Sequence, residues 1–177
     1  MATSKIPKHA NQYALNLAFE IRNKPVEFAK GFNYSSDKIT LQSDFIKGKL
    51  TSVHYDYNNL PSNIFIHNHP NGTLIGIQDL ILAAKNGVKK VIASHKKGYS
   101  CFDLTTIKQN KSSGDIIDYL INIDNELKQV KEILIEKVAN PQNREQMFFK
   151  YKLDKLISFA KETGATFSQV QWSDFRK

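Results

Sequence analysis

Residues 64–80 constrain this chain more than any other stretch. A short apolar strand pattern, Ile-Phe-Ile, runs directly into His67 and His69. Residues two apart in a strand point to the same face, so both imidazoles can converge on one point beyond the strand's end. A Pro-Asn-Gly turn follows, and then a helix that carries Asp79 in its first turn. This order predicts a strand, a turn and a helix that bring two histidines and one carboxylate together.

Two imidazoles and a carboxylate are a typical ligand set for a catalytic zinc ion, because they leave the fourth position open for water. We therefore predict that His67, His69 and Asp79 bind Zn²⁺. Hydrolysis also needs a carboxylate that accepts a proton from water. Glu27 is our candidate, because it belongs to a predicted strand that borders the strand of the histidines. Glu20, in the preceding helix, is the alternative. Without a metal, the same pattern would be a strand end followed by an acid that favours the helix N-terminus.

Hydrophobic periodicity predicts alternating helices and strands up to residue 104. The predicted elements are a helix at 10–22, a hairpin of strands at 26–32 and 38–41, strands at 50–57 and 63–67, a helix at 77–86 closed by Gly87, and a hairpin at 89–93 and 99–104. Helices that alternate with strands in this way favour a three-layer α+β or α/β fold, with helices packed on a mixed sheet.

The chain changes character after residue 107. Apolar residues then recur at intervals of four and three, which predicts a helix over 115–138. They are Ile116, Leu120, Ile123, Leu127, Val130 and Leu134. A second helix is predicted at 144–162, capped by Gly164, so the pair forms a C-terminal helical hairpin. We favour packing of the hairpin on the core over pairing with a second copy, because apolar residues extend beyond a narrow seam. The predicted segments are 1–25, 26–107 and 108–177.

The composition of the chain limits the kinds of partner it can bind and the cellular compartment in which we expect it. The net charge of +8 favours acidic partners. The lysines are spread along the chain, so nucleic acid is allowed as a partner but not favoured. The single cysteine, Cys101, excludes an internal disulfide and a cysteine cluster for zinc. No signal peptide is recognisable, and no run approaches the roughly 20 apolar residues of a membrane span. We expect a cytoplasmic protein with no membrane association, unless it is exported by an unrecognised signal.

The motif His67-Asn68-His69-Pro70, followed by Asp79, resembles the signature of the JAMM (JAB/MPN) zinc metalloproteases. It is most similar to bacterial and phage RadC-type branches, over roughly residues 26–104. The resemblance implies a cytidine deaminase-like, JAB-type mixed sheet flanked by helices. It also implies zinc on the two histidines and the aspartate, with Glu27 as the general base. The expected reaction is cleavage of a peptide bond, or of an isopeptide bond to a ubiquitin-like protein, by zinc-activated water.

One position departs from the family pattern. The family serine that stabilises the tetrahedral intermediate, three residues before the aspartate, is Gly76 in this chain. Thr73 or the backbone N–H of Gly76 could substitute as the donor. The departure keeps a second hypothesis open, in which the chain is a non-catalytic JAB- or RadC-like module that binds a protein or nucleic acid. In either case the C-terminal helices could form a homodimer.

Overall fold

The structure, a computed structural model, describes residues 5–175. Residues 1–4 and 176–177, the outer ends of the predicted N-terminal and C-terminal segments, lie outside the described residues. The helices of the described chain are α1 Lys8–Ile21, α2 Ile77–Lys85, α3 Ser113–Lys137, α4 Pro141–Thr163 and α5 Trp172–Phe175. Its strands are β1 Phe28–Tyr34, β2 Ile39–Gln42, β3 Ile46–Lys47, β4 Ile64–Asn68, β5 Lys90–Ser94, β6 Gly98–Asp103 and β7 Thr166–Gln171.

These strands form one mixed sheet in the order β2-β1-β4-β5-β6-β7, with β3 paired to β1. The central strand β4 is antiparallel to β1 and parallel to β5, so both of its edges are hydrogen-bonded. Parallel neighbours need a crossover connection, which α2 supplies between β4 and β5. All five residues of β4 are buried, which explains its continuous apolar pattern. The predicted mixed sheet flanked by helices is confirmed.

Helices cover both faces of the sheet, and β4 contributes to both cores. Ile64 and Ile66 lie in the core beneath α1. Phe65 lies in the core beneath α2, α3 and α4. Because side chains alternate along a strand, His67 falls on the face of α2, whereas Asn68 falls on the face of α1. The side chains of His67 and Asn68 therefore lie on opposite faces of the sheet.

The ends of the C-terminal helices follow from local capping. The hydroxyl of Ser112 accepts a hydrogen bond from the Asp115 N–H at 3.1 Å, so α3 starts at Ser113, two residues before the predicted start. Pro141 is the first residue of α4, a position where its missing N–H costs nothing. The predicted start of this helix, at residue 144, is therefore three residues late. Gly164 adopts a φ of 85° at the end of α4, where the left-handed conformation favours glycine.

The predicted packing of the helical hairpin on the core is confirmed. The repeating apolar residues of α3 are buried, apart from the partly buried Val130. Leu156 and Phe159 of α4 are fully buried in the same core as Phe65. After α4 the chain returns as β7, which pairs antiparallel with β6. Residues 108–175 thus contribute a strand to the sheet and two helices to its main core.

Two strand assignments differ from the prediction. The predicted strand at 50–57 is wrong, because this segment is irregular and β3 lies earlier in the chain. Its alternating tyrosines, Tyr55 and Tyr57, instead pack their rings on Phe65, with centroids 4.9 Å and 5.3 Å away. β7 was not predicted at all.

Within residues 5–175, no helix has both the length and the apolar character that a membrane crossing requires.

Candidate metal centre

The predicted ligands His67, His69 and Asp79 meet at the end of β4. The two Nε2 atoms of the histidines lie 2.9 Å apart. Oδ2 of Asp79 lies 3.1 Å from Nε2 of His67 and 3.8 Å from Nε2 of His69. Zinc with bonds of about 2.0–2.1 Å holds tetrahedral ligand atoms roughly 3.3 Å apart. The observed separations bracket that value, so these three atoms could hold a metal ion with little movement.

His69 already has the tautomer that metal binding needs. Its Nδ1 lies 3.0 Å from the backbone carbonyl of Thr73, which can only accept a hydrogen bond. The proton of the neutral ring therefore sits on Nδ1, and Nε2 directs a lone pair into the cluster. Burial and the charge of His67 lower the pKa of His69 to about 4, so the ring is neutral near pH 7. Thr73, expected near the oxyanion, is hydrogen-bonded to this ligand instead.

Asp79 is fixed by the start of α2. Its Oδ2 accepts a hydrogen bond from the Gly76 N–H at 3.0 Å, which caps the helix. Burial alone would raise the pKa of Asp79, but the charge of His67 and hydrogen bonds lower it to about 2. Burial, the largest influence, lowers the pKa of His67, but the charge and hydrogen bond of Asp79, together with the charge of Glu27 and a backbone hydrogen bond, outweigh it and raise this pKa. His67 and Asp79 therefore each favour the charged form of the other.

Glu27 lies beside this cluster, one residue before β1. Ala29 pairs with His67 across the β1–β4 ladder, and the same register continued by two positions sets Glu27 opposite His69. Its side chain is buried, with 8% exposed, and it lines the same cleft as His69 and Asp79. Burial raises the pKa of Glu27, the charge of His67 lowers it, and that of Asp79 raises it. The electrostatic coupling shows that Glu27 shares the field of the ligand cluster. The alternative acid, Glu20, does not line this cleft.

The segment of Glu27 is held by Asn68, the residue between the two histidines. Asn68 is fully buried, and its Oδ1 accepts from the Phe28 N–H at 2.6 Å. Its Nδ2 donates to the carbonyls of Val26 at 3.1 Å and Lys24 at 3.3 Å. These three bonds fix the backbone on both sides of Glu27 to the end of β4. Sequence reasoning missed this role, although the polar residue inside an apolar strand was a signal.

The cluster opens into a cleft of about 540 Å³. One wall is the irregular segment around Tyr57, and another is the loop that leads into α2. This loop is anchored by Ser100 of β6, whose Oγ accepts from the Ile75 N–H at 3.0 Å. Lys152 of α4 reaches the same loop, with Nζ 3.3 Å from the carbonyl of Leu74. Neither Ser100 nor Lys152 was predicted, because both come from elements far from the motif in sequence.

No protein-family model, curated protein or solved structure matches this chain. The resemblance to the JAMM signature therefore stays a prediction from the motif. The geometry at the end of β4 carries the functional argument.

Proposed function

We propose that this protein is a zinc-dependent hydrolase of peptide or isopeptide bonds, with the JAMM-like site at the end of β4 as its catalytic centre. The observation that carries the proposal is the placement of Glu27. A buried carboxylate with a raised pKa lies beside three atoms spaced for tetrahedral zinc. A purely structural metal site would need no such acid, whereas hydrolysis requires a proton acceptor.

When bound by His67, His69 and Asp79, zinc would lower the pKa of a water molecule and polarise a substrate carbonyl. Glu27 would accept a proton from the attacking water as the water oxygen bonds to the carbonyl carbon of the substrate. Glu27 then delivers the proton to the nitrogen as the C–N bond breaks, so one water is consumed for each bond cleaved. The raised pKa of Glu27 suits both halves of this transfer, because a carboxylate of ordinary pKa is a weaker base.

The surroundings of the cluster suit an extended polypeptide. Both edges of β4 are occupied, so a substrate cannot join the sheet beside the histidines. It would instead lie in the cleft, where Leu50 is 54% exposed and Leu82 is 42% exposed. These side chains offer apolar contacts to a chain whose scissile bond reaches the cluster. The JAMM-like motif favours an isopeptide or peptide bond within such a chain.

Metal analysis of the purified protein tests the first part of the proposal. We expect one zinc per chain after reconstitution, and its loss in His67→Ala and Asp79→Ala. His54→Ala is the matched control, because His54 lines the cleft outside the ligand cluster and should retain the metal. A wild-type protein that takes up no zinc would refute the proposal.

Cleavage of a defined library of peptides and lysine-branched isopeptides, followed by mass spectrometry, tests the second part. Zinc-loaded wild type should cleave bonds that Glu27→Gln leaves intact, while both proteins carry equal zinc. Equal cleavage by the two proteins would show that Glu27 is not the base. Full zinc occupancy without any cleavage would favour the non-catalytic binding module.

A further inference from the structure

Lys152 brings a positive charge to the cleft from outside the strand–turn–helix motif. It lies in α4, and its side chain is partly buried against the loop that precedes α2. Nζ is 3.3 Å from the Leu74 carbonyl, two residues before Gly76. Among the described residues that line the cleft, Lys152 is the only lysine or arginine. Burial lowers the pKa of Lys152 and the Asp79 carboxylate raises it, so the ammonium lies in the field of the ligand cluster.

The candidate hydrogen-bond donors of the loop before α2 are already engaged and do not point to a developing oxyanion. A Cβ built on Gly76 would lie 2.7 Å from Oδ2 of Asp79, so a serine at this position would require the Asp79 carboxylate to shift. The Gly76 N–H already donates to the same oxygen, and Thr73 contacts His69. A hydrolase built on this site would therefore take its oxyanion donor from another element.

We propose that Lys152 is that donor: its ammonium binds the substrate carbonyl oxygen and stabilises the negative charge that this oxygen gains when water adds. The inference rests on the proposed hydrolase function and adds one catalytic residue to it. A fixed cation at a developing oxyanion in a partly buried cleft acts more strongly than it would in water. The cleft also carries two carboxylates, Glu27 and Asp79, so the lysine also limits repulsion of an anionic oxygen.

The test compares zinc-loaded wild type with Lys152→Met and Lys152→Arg. Lys150→Met is the matched control, because Lys150 is an exposed lysine of the same helix and its loss changes the net charge equally. The first measurement is the affinity for phenylphosphonate, a tetrahedral anion, by titration calorimetry. Removing a charge-assisted hydrogen bond should weaken binding about ten- to hundred-fold in Lys152→Met. Lys152→Arg should stay near wild type, and Lys150→Met should match it.

The second measurement is turnover of a peptide that wild type cleaves. Loss of an oxyanion donor typically costs about a hundred- to a thousand-fold in kcat, and KM should change far less. Zinc content must be equal in all variants, because loss of zinc in Lys152→Met would mean that the lysine supports the ligands. Should Lys152→Met not fold, Lys152→Gln keeps a donor for the Leu74 carbonyl without the charge.

The outcomes separate the two proposals. Phosphonate affinity and kcat in Lys152→Met equal to those of Lys150→Met would overturn the role of Lys152 and leave the hydrolase intact. Phosphonate binding that depends on Lys152, without cleavage of any substrate, would support anion binding by Lys152 but refute the hydrolase function and, with it, the role of Lys152 in catalysis. Absence of zinc in wild type would remove both.

Discussion

Replacing Asn68 by alanine should destabilise the fold and disorganise the candidate base without removing the metal. The amide makes three hydrogen bonds, to the Phe28 N–H and to the carbonyls of Val26 and Lys24. Each such bond contributes about 1 kcal/mol net. Their loss therefore predicts a decrease of about 3 kcal/mol in the free energy of unfolding, which for a chain of this size lowers Tm by roughly 6–12 °C.

Urea unfolding monitored by circular dichroism measures this decrease, and metal analysis of the same samples measures zinc content. Zinc should be retained, because His67 and His69 project from the opposite face of β4. Asn68→Asp tests the two donated bonds separately. Its carboxylate can still accept from the Phe28 N–H, but it repels the carbonyls of Val26 and Lys24. We expect Asn68→Asp to be at least as destabilised as Asn68→Ala. Asn110→Ala, at an exposed site, is the control and should change stability by less than about 0.5 kcal/mol.

A change of under about 0.5 kcal/mol in Asn68→Ala would refute the view that this amide holds the segment of Glu27. Loss of zinc in a folded Asn68→Ala would refute the separation of the two faces of β4. Retained zinc together with slowed cleavage is the expected pattern, because only the base would be displaced.

Two further predictions concern the C-terminal helices. Leu156→Ala should cost about 2–5 kcal/mol in chemical unfolding, since Leu156 is fully buried, whereas Ile157→Ala on the exposed side should cost under about 1 kcal/mol. Equal effects would contradict the packing of α4 on the main core. A homodimer through these helices would have to bury the exposed Ile133 and Ile135 of α3, so Ile133→Lys with Ile135→Lys should convert any wild-type dimer to a monomer in sedimentation equilibrium. A monomeric wild type would rule the dimer out.

The meeting of His67, His69 and Asp79 could be predicted from sequence because these residues lie close together in the chain. The spacing of His67 and His69 along a strand, and of Asp79 on the next helix, fixes which atoms can meet. Glu27 could be predicted to lie near the histidines because its strand was expected to border theirs, as β1 does beside β4. Ser100 and Lys152 could not be found in this way, because they reach the loop from β6 and α4. Only the packing of those elements determines what their side chains contact.

The strand errors have a similar physical origin. Tyr55 and Tyr57 alternate in the sequence like strand residues, but their periodicity reflects ring packing on Phe65 and no backbone ladder. The segment Thr166–Gln171 has little apolar alternation, because it is an edge strand with largely accessible side chains. Its pairing depends on the open edge of β6, a tertiary property that the local pattern does not contain.

The end of β4 also couples the candidate ligands to the segment of Glu27. Three consecutive residues carry two candidate metal ligands and the amide that holds the segment of Glu27, and strand alternation places the amide on the opposite face from the histidines. A slip of β4 by one residue against both of its neighbours would turn both histidines towards α1 and Asn68 towards the cleft. A chain with β4 flipped in this way would lose the candidate ligands and the bonds of Asn68 to the segment of Glu27 together. The fraction of refolded chains that bind zinc would then measure how many have β4 in the correct register.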